Sequence, residues 1–177
     1  ASFAPTQSER LRIWNITIDE VYLNFQTNLE GAFVTQATFS PDGDLLAVGY
    51  SLGVIQLWHI PTGVMLKSFK AHNDWVVSLS FSPSGLYLAS DSLSSDPNVK
   101  VWNIPDGSLV TVLEEDNWDP GFVQFSPDGN LLASLSYSKE GFNLWRVRNW
   151  TLLDTVPAFQ VVFQPNGSLV SFPLGSG

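Results

Sequence analysis

Phe39-Ser-Pro-Asp-Gly43 decides the fold, because the chain says it again. It returns as Phe81-Ser-Pro-Ser-Gly85, as Phe125-Ser-Pro-Asp-Gly129 and, loosened, as Phe163-Gln-Pro-Asn-Gly167. The prolines at 41, 83, 127 and 165 stand 42, 44 and 38 residues apart. A second mark keeps the same period. Trp14, Trp58, Trp102 and Trp145 each close a short β-prone run, at spacings of 44, 44 and 43. Two independent marks at one period of 20–50 residues signify a repeat architecture.

Each unit reads as four short strands. The first ends in the Phe, as in Phe33–Phe39 and Trp75–Phe81. Pro-Asp-Gly then turns the chain: Pro presets φ, Asp bonds to nearby backbone and Gly accepts a positive φ. The second strand is Leu45–Tyr50, Leu86–Ser90, Leu131–Ser136 or Leu169–Phe172. The third ends in the Trp: Leu11–Trp14, Val54–Trp58, Val99–Trp102 and Phe142–Trp145. A fourth follows turns such as Ile60-Pro-Thr-Gly63 and runs as Val64–Phe69 or Ser108–Leu113. Short strands at regular spacing, with no competing helical period, indicate an all-β fold.

The pattern resembles the WD-repeat β-propeller family, over residues from about 10 to 172. In that family each repeat of roughly 40–45 residues builds one four-stranded antiparallel blade around a channel. The resemblance implies a single module over 1–177, with repeats at approximately 30–70, 72–114 and 116–157. A fourth blade is split between 10–28 and 158–172. Three closures stay open: a four-bladed ring in cis, an eight-bladed ring from two chains, or part of a longer propeller.

The family's buried tetrad joins a His before the first strand, a Ser or Thr on the second, an Asp before the third, and the Trp. Only one repeat holds a full set: His72, Ser90 (or Ser92), Asp96 and Trp102. The slot six residues before the Trp holds Leu52 and Lys139 in the neighbouring repeats, and no Trp is followed by Asp. The other blades are therefore expected to rest more on apolar packing.

Composition bounds the chemistry. Seventeen acidic against eight basic residues give a net charge of −9, which argues against nucleic acid. The nearest basic groupings are Arg10/Arg12, Lys67/Lys70 and Arg146/Arg148. The absence of Cys excludes disulfides and thiolate chemistry. No apolar run reaches the roughly 18 residues of a membrane span, so a soluble protein is expected, with the cytoplasm favoured and no membrane partner. His59 and His72 are the only histidines and form no ligand motif, so neither metal nor cofactor is expected. Asp19-Glu20 and Glu114-Glu115-Asp116 read as solvated turns rather than a hydrolase pair. The sequons at Asn15, Asn149 and Asn166 read as chance.

Two tryptophans stand outside the repeat frame. Trp75, with Asn73 and Asp74, and Trp118, with Asn117 and Asp119, fall in loops that cross between blades. In the family such loops open near the channel mouth. The residues there form either an aromatic and polar contact patch or packing between blades. Trp150 lies at the opposite end, in a third-to-fourth-strand turn, as packing or as a second contact. The function expected is a non-catalytic protein-interaction scaffold. The alternatives are a carbohydrate-binding or hydrolytic propeller with a channel-mouth pocket, and a sensor segment of a larger regulatory protein.

Overall fold

A computed structural model describes residues 10–15, 20–26, 29–93, 98–114, 121–136, 141–158 and 160–172; in the first two strands only Ile13 is described beyond its backbone. Sixteen strands and no helix occupy the described residues. The first two, β1 (Arg10–Asn15) and β2 (Glu20–Gln26), form a two-stranded antiparallel sheet. Three four-stranded blades follow. Blade 1 is β3 (Val34–Phe39), β4 (Leu45–Tyr50), β5 (Val54–His59) and β6 (Val64–Lys70). Blade 2 is β7 (Val76–Phe81), β8 (Tyr87–Ser92), β9 (Val99–Asn103) and β10 (Leu109–Leu113). Blade 3 is β11 (Val123–Phe125), β12 (Leu131–Ser136), β13 (Gly141–Arg146) and β14 (Thr151–Pro157). A second two-stranded sheet, β15 (Gln160–Phe163) with β16 (Leu169–Phe172), completes the set. The chain is an all-β propeller of three full blades and two half-blades.

The repeated residues form a repeated row across each sheet. Phe39 faces Leu46, which faces Trp58. Phe81, Leu88 and Trp102 do the same in blade 2, and Phe125, Leu132 and Trp145 in blade 3. Phe163 faces Leu169 in the last half-blade.

Strand alternation then builds the core between blades. Leu88 packs toward blade 1 with Ala47, Ile55 and Leu57, whereas Ala89 packs toward blade 3 with Val123 and Phe125. Leu132 and Ala133 divide in the same way between blade 2 and β15. Ile13 of β1 packs against Leu46, Val48 and Tyr50 of blade 1. A strand buried on both faces must be apolar at odd and even positions, which is why the second strands read as Leu-Leu-Ala rather than alternating. The innermost strands are also stitched by polar bonds. Thr35 Oγ1 donates to the Val76 carbonyl (2.6 Å), and the Val123 and Phe125 amides donate to Ser78 Oγ (3.0 Å) and Ser80 Oγ (3.1 Å).

The fourth strands carry a feature absent from the expectations above. Each pairs with the third through a β-bulge beside the Trp. Trp58 faces Met65 while Leu57 faces Lys67, leaving Leu66 extra. Val110 is extra in blade 2, Leu153 in blade 3 and Tyr22 in β2. The bulged residues recur at the period of the tryptophans, so the kink belongs to the repeat. A bulge adds local twist to the outer strand.

Candidate interaction surface

Antiparallel order sorts the loops onto two ends of the blades. The Pro-Asp-Gly turns and the third-to-fourth turns lie at one end. The second-to-third turns and the loops between blades lie at the other. The expected contact residues Asn73, Asp74 and Trp75 fall on that second end.

The loop holding them is anchored at its base. The Gly53 carbonyl, in the second-to-third turn of blade 1, accepts both the Ala71 and His72 amides at 2.9 Å. Gly53 has φ +71°, and a Cβ there would collide with the carbonyl oxygens of His72 and Asp74. Glycine is thus required both by conformation and by the approach of the next loop. Lys100 Nζ donates to the Ala71 carbonyl at 3.0 Å. Beyond this anchor Asp74 Oδ1 accepts the Trp75 amide at 2.8 Å, which sets the start of β7.

Trp75 is 41 % exposed although its ring packs edge-on against Phe33 of blade 1, centroids 4.7 Å apart. Phe33 is itself 38 % exposed. The two expected roles therefore meet in one residue: Trp75 bridges two blades and still presents ring surface to solvent. Leu52, beside Gly53, is also exposed at this end. Asn117, Trp118 and Asp119, in the equivalent loop before blade 3, lie outside the described residues.

Beneath the loop runs a buried hydrogen-bond chain. His72 Nε2 lies 2.7 Å from Ser90 Oγ, which accepts Trp102 Nε1–H at 2.9 Å. His72 and Ser90 are almost fully buried. Ser90 takes this place, while Ser92 Oγ donates to the Leu93 carbonyl at 3.4 Å. Asp96 lies outside the described residues.

The other blades do not rest on apolar packing alone. Trp145 Nε1–H donates to Ser134 Oγ at 2.8 Å, repeating the Trp102–Ser90 bond. The signal for it was present, since Leu132-Ala-Ser134 repeats Leu88-Ala-Ser90. In blade 1 Val48 stands at the Ser position. There Gln56 takes over: its Oε1 accepts Trp58 Nε1–H at 3.2 Å and Tyr50 Oη–H at 2.6 Å. A buried indole N–H without an acceptor is unfavourable, so each full blade supplies one, blades 2 and 3 from a serine and blade 1 from Gln56.

Trp150, at the far end, is a packing residue. It meets Tyr87 of blade 2 edge-on at 5.4 Å and Phe125 of blade 3 at 6.4 Å. Among the described residues no three His, Asp or Glu side chains gather as a metal ion would require.

Comparison with known proteins supports the repeat reading. Residues 5–84 match the family described as the anaphase-promoting complex subunit 4 WD40 domain. The WD repeat and SOCS box-containing protein 1 of Mus musculus is 36 % identical over 83 residues, which is 46 % of this chain and 19 % of that protein. The anaphase-promoting complex subunit cdc20 of Dictyostelium discoideum is 30 % identical over 87 residues, 49 % of this chain and 17 % of its own length. The chain thus spans less than a fifth of these curated relatives. A chain in the crystal structure of the mitotic checkpoint complex superposes with a TM-score of 0.73 at 20 % identity, over 84 % of this chain and 44 % of that one. With sixteen strands in repeated register among the described residues and a tryptophan row shared by the three full blades, the chain has the fold of a WD-repeat β-propeller and is similar to that family over residues 5–84, in a degenerate form.

Proposed function

We propose that the chain is a non-catalytic protein-interaction scaffold whose inter-blade loops present contacts to a macromolecular partner. Proteins built of WD repeats act generally as interaction scaffolds. The observation that carries the reading here is Trp75, an exposed aromatic ring braced by Phe33 on a loop tied to Gly53. Large aromatic side chains held rigidly at a surface are favoured as interface anchors, because little conformational entropy is lost when they bind.

In this reading Asn73, Asp74 and Trp75 form the described half of the contact patch, and Asn117, Trp118 and Asp119 the other half. His72, Ser90, Asp96 and Trp102 act as the structural tetrad that holds the first loop in place. The whole of 1–177 works as one module.

The test is affinity capture from cell extract with the wild-type chain and with Trp75→Ala, followed by quantitative mass spectrometry. A defined set of proteins should be recovered by the wild type and depleted with the variant, while the melting temperature changes little. Identical recovery by both chains would overturn the proposal.

A further inference from the structure

The repeat is broken most sharply at the far end of blade 3, where the third-to-fourth turn changes character. In blades 1 and 2 this turn reads His59-Ile-Pro-Thr-Gly63 and Asn103-Ile-Pro-Asp-Gly107. In blade 3 it reads Arg146-Val-Arg-Asn-Trp150. The backbone is the same in all three: the Gly63, Gly107 and Trp150 amides donate to the His59, Asn103 and Arg146 carbonyls at 2.8, 2.7 and 2.7 Å. Arg148 thus stands where the other blades have Pro61 and Pro105. Trp150 takes a position held elsewhere by glycine, at a positive φ of 56°.

Beside this turn lies a groove of about 280 Å³ lined by Asn130, Leu131, Arg146, Arg148 and the bulged Leu153. Arg146 and Arg148 are exposed, and neither guanidinium makes a hydrogen bond or ion pair with a described residue. Two described carboxylates of this blade bond to their own neighbours. Asp128 accepts the Ser126 hydroxyl and both the backbone and side-chain N–H of Asn130. Asp154 accepts the Thr155 amide. Leu131 lies directly opposite Arg146 in the sheet, so an aliphatic floor adjoins the two cations.

We infer that this groove is a second docking site, distinct from the Trp75 patch, for an acidic peptide segment of a protein partner. An Asp or Glu side chain would sit between the two guanidinium groups, which bind carboxylates through paired N–H donors. An aliphatic neighbour in the peptide would cover Leu131 and Leu153. Charge complementarity favours this occupant: in a chain of net charge −9, one groove holds two exposed arginines that bond to no described side chain.

The experiment uses the full chain and two synthetic peptides, Ala-Leu-Glu-Glu-Leu-Ala and its Gln-Gln counterpart. Binding is followed by NMR through the arginine Nε–H resonances of ¹⁵N-labelled protein, with inorganic phosphate titrated separately. The acidic peptide should shift the resonances of Arg146 and Arg148, and the neutral one should not. Arg146→Gln with Arg148→Gln should weaken the acidic peptide by about fivefold or more, as loss of an exposed charge pair implies, without lowering the melting temperature. Four results would each overturn the inference: no shift at millimolar peptide, equal shifts with both peptides, unchanged affinity in the double variant, or inorganic phosphate acting as strongly as the acidic peptide.

Discussion

Ser90 carries more than its size suggests. It is fully buried, and its hydroxyl oxygen holds both the Trp102 indole and the His72 imidazole. Ser90→Ala would leave both groups without that partner inside the sheet. A buried polar group so stranded is unfavourable by about 1–3 kcal/mol, so a loss of roughly 2–4 kcal/mol is expected from urea unfolding. Ser134→Ala strands the Trp145 indole and should lose about 1–3 kcal/mol. Unchanged stability in both variants would show that the indole bonds contribute nothing. The comparison also shows what the sequence makes legible at this scale. Ser134 could be found because it repeats the frame of Ser90. Gln56 was hidden, because it performs the task of a missing Ser from a different strand, and no repeat alignment exposes a replacement of that kind.

Among the elements, the turns are bonded more richly than their residue types alone require. Ser40 Oγ accepts the Leu45 amide at 2.9 Å and donates to Asp42 Oδ1 at 2.5 Å. Ser126 and Asp128 repeat the arrangement, and Ser108 donates to Asp106 in a third-to-fourth turn. The serine hydroxyls first, then the neighbouring amides, hold the Asp42, Asp106 and Asp128 carboxyls below the ordinary aspartate range. Carboxyls that ionise more readily in the folded chain favour folding above the unfolded aspartate value near 3.8. That contribution fades as pH falls through the lowered folded values. The melting temperature of wild type should therefore exceed that of the Asp42→Asn, Asp106→Asn, Asp128→Asn variant near pH 6, and the gap should close below about pH 3. A gap that is constant from pH 7 to pH 2.5 would refute the assignment. Strand positions were legible because tryptophan and Pro-Asp-Gly punctuate the chain on both sides of each strand. The bulges were not, because the fourth strands alternate only weakly: Val64, Met65 and Leu66 are all exposed, so no buried face marks the register.

For the whole molecule the open question is set by the two half-blades. In the three full blades the second strand meets the third in one register: Ala47, Ala89 and Ala133 face Leu57, Val101 and Leu144. β16 is a second-type strand without a third, and β1 is a third-type strand without a second; within the described residues the two belong to separate sheets. Unpaired sheet edges recruit strands, and the best-matched strand is one of the same repeat. For a solution of this chain alone, we propose that the β16 edge of one copy takes β1 of another. The register of the full blades then fixes the contact, with Val170 opposite Ile13 and Leu169 opposite Trp14. Because the chain has no cysteine, Ile13→Cys together with Val170→Cys introduces the only thiols. A short bifunctional thiol crosslinker should then yield a covalent species of about twice the 19.5 kDa chain mass. Light scattering on the uncrosslinked wild type should give the same doubled mass. An intramolecular crosslink at the chain mass would show closure within one copy instead, and a compact, uncrosslinked chain with both thiols reactive would show that the edges do not meet at all.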